Sequence, residues 1–291
     1  MRADLDTLVI ALYCFVDDLL GPRVGPGRPA RISNAELVCL AVAQVLLGCP
    51  SEARWLRFAR FRLGHLFPYL PKQPGYNKRL RRLANQLCLV LRCLAIASPS
   101  WCDQLRLLDS TPVPCGQSVQ TVKRSPLAPY AGYGYRASHS RWFWGMRLYL
   151  VCAPDGMPID FCLAKANLPE RQVAAALLEG TPLRPGQLIV ADKGFAGAEF
   201  ADLVAQLGAC LVRPDRKDEP YRFGALGWIR QVIESVVDTL KDQLSLERHQ
   251  AYTPQGVFVR VAQRLVALAA CVWFNWQLGE PDKRSLTAFD H

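Results

Sequence analysis

The chain has 291 residues, 51% of them hydrophobic, with a formal net charge of +10 and a sequence pI near 9.2. That is enough apolar material for one large domain or two modest ones, and the positive balance points to an acidic polymer as partner. The eleven cysteines stand singly, with no CxxC pair, and the four histidines do not cluster. A zinc site and a disulfide framework are thereby disfavoured, and a reducing, cytoplasmic setting is expected.

In chain order, residues 1–20 carry Leu5, Leu8, Leu12, Phe15 and Leu19 on one helical face. Residues 21–32 are rich in Pro and Gly and read as a linker, with a basic arm touching DNA as the alternative. Ser33 and Glu36 form a capping-box pattern ahead of an apolar run over 37–47, which predicts a second helix. Residues 51–63 interleave arginines, Arg54 and Arg57 among them, with Trp55, Phe58 and Phe61, the aromatics being expected in the core. A further helix is predicted over 77–97, its first turns bearing Lys78, Arg79, Arg81 and Arg82. Residues 51–100 hold ten Lys/Arg against a single acid, so the positive charge is localised there. Residues 1–100 are therefore expected to form a helical DNA-binding domain with helix-turn-helix-like packing, gripping phosphates in a salt-dependent way.

From Leu105 the pattern turns to strands. They are expected at 105–109, 143–153, 158–165, 187–192 and 209–213, with an irregular stretch over 110–141 and helices at 169–180, 197–208 and 227–247. In the irregular stretch Lys123, Arg124, Arg136 and Arg141 suit a DNA path, whereas Trp142, Phe143 and Trp144 are expected to pack in the sheet. A last apolar helix covers 255–278; its strongest run, 265–274, is too short to span a bilayer. The expected division is 1–100, a catalytic α/β domain over 101–250, and 251–291 as a C-terminal helix and tail packing on that catalytic domain.

Two of the strands end in an acid, Asp109 and Asp192, and Glu234 lies on the helix of 227–247 with Arg230 four residues before it and Lys241 seven after. Three carboxylates from two strand ends and a helix suit two Mg²⁺ ions, which activate a hydroxyl and stabilise a leaving oxygen at a phosphodiester. Each acid has a bland alternative: a turn or cap residue for Asp109 and Asp192, a solvated ion pair with Arg230 for Glu234.

Taken together the motifs resemble the DDE transposases of bacterial insertion sequences. The resemblance lies in Asp109-Ser110-Thr111, Asp192-Lys193-Gly194-Phe195, the Arg230, Glu234, Lys241 spacing, and Asn167 with Glu170. The blocks at 37–47, 67–72, 75–80 and 142–150 are similar to those of the insertion-sequence 982 family. Gly227 replaces the tyrosine usual before the helix arginine, and Arg147-Leu148-Tyr149 departs from the usual Lys-Leu-His-like segment. The resemblance implies an RNase H-like mixed five-stranded sheet with flanking helices, and Asp109, Asp192 and Glu234 as ligands of two Mg²⁺, with Mn²⁺ as a substitute. It also implies Mg-dependent cleavage and strand transfer on double-stranded DNA, both terminal inverted repeats and target, by a homodimer at the bacterial nucleoid, with no membrane involved. Arg230, Lys241 and the weaker candidate Lys193 are the expected DNA contacts beside the acids. A catalytically inactive, domesticated DNA-binding protein and a metal-dependent nuclease of broader specificity are the competing readings.

Overall fold

The computed structural model describes residues 3–21, 30–136, 140–215 and 226–290, and the chain divides into two compact units. Most of the Pro/Gly segment, and with it any basic arm, lies outside the described residues.

The first unit, residues 1–98, 240–251 and 255–291, is helical. Helix α1 (Leu5–Leu20) starts at a capping box in which the Thr7 N–H donates to Asp4 at 2.8 Å. Helix α2 (Asn34–Leu46) starts at the predicted one, Ser33 accepting from the Glu36 N–H at 3.0 Å. Helix α3 (Glu52–Arg62) buries Trp55, Leu56 and Ala59. The single helix expected over 77–97 is two, α4 (Gln73–Arg82) and α5 (Ala84–Ile96), which break at Leu83. Phe58 and Phe61 leave the core they were assigned to, at 42% and 90% exposure.

The last helix of the chain, α10 (Pro254–Leu278), is apolar on all sides and almost wholly buried. It is long and apolar enough to cross a bilayer, contrary to the expectation from 265–274, but 89% of its most apolar window is buried in the fold. The sequence reading placed this helix on the catalytic domain; in the structure residues 255–291 belong to the helical unit. Polar side chains tie it there. Arg260 forms an ion pair with Glu52, both nearly buried, while Gln263 donates to the Ala41 carbonyl at 2.6 Å. Glu52 also accepts from Gln73 and Asn77, each at 2.8 Å.

The second unit, residues 99–239 and 252–254, holds a six-stranded mixed sheet rather than five strands. Its strands are β1 (Leu105–Gly116), β2 (Gly132–Arg136), β3 (Arg141–Cys152), β4 (Pro158–Lys165), β5 (Leu188–Val190) and β6 (Cys210–Val212). The order is β2-β3-β1-β5-β6, and β4 pairs with β3 alongside β2. β1 runs antiparallel to β3 and parallel to β5, which runs parallel to β6. The remaining helices are α6 (Val119–Arg124), α7 (Glu170–Gly180), α8 (Ala198–Gln206) and α9 (Gly227–Asp238).

Two strand assignments differ from the sequence reading. β1 continues through Pro112 and Pro114 to Gly116, so Asp109 sits mid-strand. Pairing with β5 stops at Leu107, and among the described residues no strand pairs with that edge of β1 where the prolines lie. Being two residues apart, both turn their missing N–H to that edge, the place a strand tolerates proline. β2 was hidden in a Gly-Tyr alternation. A side chain at Gly134 would meet the Phe143 ring at 2.8 Å, so close packing requires glycine there.

The Glu52–Arg260 pair gives a direct test of how the helical unit is held. Removing the carboxylate strands Arg260 in a buried position, a change that costs about 3–5 kcal/mol. Glu52→Ala should therefore lower the unfolding free energy by about 3 kcal/mol in urea titrations followed by circular dichroism. A loss under about 1 kcal/mol would show that the pair does not hold the unit.

Candidate functional site

The parallel register of β1 and β5 pairs Leu105 with Leu188, Arg106 with Ile189 and Leu107 with Val190. Carried two residues further, that register sets Asp109, within β1, level with Asp192, just past the carboxyl end of β5 and of its pairing with β1. In open α/β sheets that end is where ligands bind. Asp109 lies within β1, opposite Leu150 of β3, and is neither a turn residue nor a cap. The N–H of Ser110 donates to its carboxylate at 2.7 Å.

Asp192 follows β5 and opens a single tight turn, Lys193–Phe195, without capping it through its side chain. Phe195 is buried and packs 5.9 Å from Phe200, which pins the turn. The Asp192 carboxylate instead meets the Arg230 guanidinium at 3.1 Å. Arg230 also reaches Glu234 at 3.4 Å along α9. The ion pair that was the bland account of Glu234 is thus present, but it is shared with Asp192. Helix α9 presents these residues because Ile229, Ile233, Val236 and Val237 bury its opposite face.

Lys241 lies beyond the end of α9. The helix ends at Asp238 and the backbone widens into a π turn over Thr239–Gln243, so an unbroken 230-234-238-241 face is not formed. Lys241 belongs to the first unit.

A neighbouring cluster was only partly legible. Glu170, the first residue of α7, forms an ion pair with Arg147 and accepts from the Ser110 hydroxyl at 3.3 Å. Arg147 also donates to the Tyr135 carbonyl at 2.9 Å. A side chain on Gly194 would lie 3.3 Å from the Glu170 carboxylate, so the turn after Asp192 approaches it closely. The Asn167 and Glu170 spacing was the signal for this residue; nothing in the sequence marked Arg147 as its partner.

The Asp109 carboxyl is pushed up to about 6, chiefly by burial, with the like charges of Asp192 and Glu170 adding to the rise and the Ser110 N–H and Arg230 opposing it. Among the described residues no three His, Cys, Asp or Glu side chains stand close enough to hold a metal ion as they are. The donor chemistry nevertheless fits a hard divalent cation: oxygen ligands crowded by like charge, with one guanidinium among them. Arg230 occupies the place where positive charge is called for.

The other expected DNA contacts divide by burial. Arg54, Arg57, Lys78, Arg82, Lys123, Arg124 and Lys193 are exposed. Arg81 is half-buried. Arg79 is half-buried and donates to the Ile32 carbonyl and to Asn34, at 2.6 and 3.0 Å, so it serves the helical core. Trp144 packs as expected, but Trp142 is 70% exposed beside Tyr135.

The crowding of Asp109 can be read as stability. Its folded-state pKa, about 6, lies above the unfolded value of 3.8. The folded chain then holds the proton more tightly, and the associated stability is present below pH 3.8 and lost as pH rises through 6. In metal-free protein Asp109→Asn should be more stable than wild type at pH 7, by on the order of 2 kcal/mol, with the difference gone near pH 3.5. Urea denaturation in chelator at both pH values checks this, and equal stability at pH 7 would contradict it.

Comparison with known proteins gives a consistent result. No curated protein matches the chain. A solved structure similar to it is that of piggyBac transposase, a cryo-EM synaptic complex with hairpin DNA. The similarity covers 96% of this chain and 80% of that one, at 10% identity and a TM-score of 0.34. The family model described as the transposase DDE domain matches residues 100–270, more than half of the chain and all three candidate acids. The chain belongs to the transposase DDE domain family and is a DDE-type transposase.

Proposed function

We propose that this transposase binds the ends of its insertion sequence through the helical first unit. In the second unit it cuts and joins DNA strands, with Asp109, Asp192 and Glu234 as the metal-holding triad. The observation that carries the reading is the β1–β5 register, which continued by two residues sets Asp109 of β1 level with Asp192 beyond β5, with Glu234 linked to Asp192 through Arg230. The strand order supports an RNase H-like domain: a three-stranded antiparallel meander whose first strand, β1, is extended on its far side by two parallel strands. The motif blocks quoted above support membership of the insertion-sequence 982 group.

DDE transposases generally need divalent metal ions, and Mg²⁺ suits an all-carboxylate donor set, with Mn²⁺ as a substitute. Two such ions supply charge neutralisation at the attacking and leaving oxygens of a phosphodiester. The chain's own residues do the rest. The β1–β5 register supports a common level for Asp109 and Asp192, and Arg230 links Glu234 of α9 to Asp192. Arg230 stands in for positive charge in the free protein and is suited to a phosphate contact once the carboxylates are otherwise neutralised. Lys193 is exposed beside Asp192 and suits the same backbone. Two ends must be joined, so a homodimer is the proposed working form, acting at the nucleoid in the bacterial cytoplasm where that DNA lies.

The test uses duplexes covering the DNA on each side of the reading frame, with Mg²⁺. Asp109→Ala, Asp192→Ala and Glu234→Ala should each lower strand cleavage by at least roughly 10³-fold, about 4 kcal/mol of transition-state stabilisation. Wild-type cleavage in any one variant removes that residue from the triad. Cleavage by the wild type that ignores the duplex sequence favours a general nuclease, and binding without cleavage favours the DNA-binding alternative.

A further inference from the structure

We propose that α3 reads base sequence at the element's ends from the major groove of duplex DNA, with Arg54, Arg57, Phe58 and Phe61 as its reading face. The proposal rests on the first unit being the end-binding part. These four residues stand at i, i+3, i+4 and i+7 of the helix and form one continuous stripe. Both arginines are exposed, and so are both rings, Phe61 at 90%. A helix needing only solubility gains nothing from two phenylalanines on its outer face, so the stripe calls for a partner.

The reverse face of α3 is fixed. Trp55, Leu56, Ala59 and Leu63 are buried. Glu52, at its first turn, is anchored by Arg260, Gln73 and Asn77. The helix therefore presents its stripe rigidly. It follows α2 after a short turn over residues 47–51, in which Gly48 adopts a φ of 60°. That succession is the one in which the second helix of a helix-turn-helix enters the groove.

The chemistry of the stripe matches base edges. Arginine pairs in bidentate fashion with guanine O6 and N7, and phenylalanine packs on the thymine methyl group. A helix about 10–12 Å across with its side chains fits a groove about 12 Å wide. Arg60 of α3 and Lys78 and Arg82 of α4 are exposed and suit flanking phosphates. A second copy of the chain is a poorer occupant, since the stripe carries positive charge and no acid, so two copies of this face repel whereas duplex DNA is attracted.

The test measures binding of the full-length protein by fluorescence anisotropy at fixed salt. The probes are 60-base-pair duplexes from the DNA flanking the reading frame, compared with shuffled duplexes of the same composition. Arg54→Ala and Arg57→Ala should each reduce the preference for flanking over shuffled DNA about tenfold. Phe61→Ala should weaken binding to the flanking duplex severalfold, and should have no effect when that duplex carries uracil for thymine, which lacks the methyl group. Lys78→Ala, the phosphate control, should weaken binding to both duplexes equally.

An unchanged preference in the Arg57→Ala/Phe61→Ala double variant overturns the assignment of α3 and leaves end binding by the unit standing. A wild type with no preference overturns end binding as well. If the double variant changes the sedimenting mass while keeping the DNA preference, the face is an interface between copies and the proposal fails.

Discussion

Two carboxylates placed where the pairing of neighbouring parallel strands stops, Asp109 within β1 and Asp192 just past β5, repel each other, and the groups around them temper that repulsion. Asp109 cannot relax by moving along its strand, because the β1–β3 ladder fixes the backbone beneath it, and Asp192 follows closely on the strand paired with β1. The relief is local and partial. The Ser110 N–H and the Arg230 guanidinium favour the charged form of Asp109, while burial and the nearby Asp192 and Glu170 oppose it. Glu170 is itself neutralised by Arg147. The balance leaves Asp109 poised with a pKa of about 6, short of positive charge. A site with that deficit is suited to bind a cation at neutral pH because the cation removes a cost the fold already carries.

The same constraint explains which parts of the site could be read in the sequence. The acids were visible because they follow apolar runs that must be strands, and Arg230 because a four-residue spacing on a helix sets two side chains together. Their closeness in space was not visible: it depends on register, which local pattern does not encode between strands some eighty residues apart. The Lys241 spacing meets a related difficulty. A seven-residue spacing implies a shared face only while the helix keeps 3.6 residues per turn, and the π turn at Thr239–Gln243 ends that phase.

The fold was legible where a pattern has one physical meaning. The Ser33–Glu36 capping box fixed the start of α2 because few other structures satisfy both groups. The prolines of β1 had two meanings. They read as breakers, yet an edge without a strand partner accepts them, and only the sheet shows that β1 has such an edge. The aromatics of α3 had two meanings as well. Alternation with arginine suggested rings inside and charges outside; Trp55 obeys, whereas Phe58 and Phe61 share the outward stripe with the arginines. Helix α10 shows the limit of composition. An all-apolar helix must be buried, but its sequence does not say against what, and its polar residues Arg260 and Gln263 settle it by finding partners on α2 and α3.

These partners bear on how the two units divide the work. Phosphate contacts bring affinity that falls steeply with salt and carry no base information, so a basic surface alone would hold the enzyme on any DNA. A reactive site built on that affinity alone would be indiscriminate. Sequence choice has to come from rigid side chains at base edges, and rigidity is what the Glu52 anchor gives α3. The proposed metal-holding carboxylates have the opposite requirement: they would act at atoms common to every nucleotide, and their geometry must favour the transition state over the bound substrate. On the proposed reading, separating the two demands into a helical unit and a sheet unit would let the reading face change with the element's ends while the β1–β5 register stays fixed.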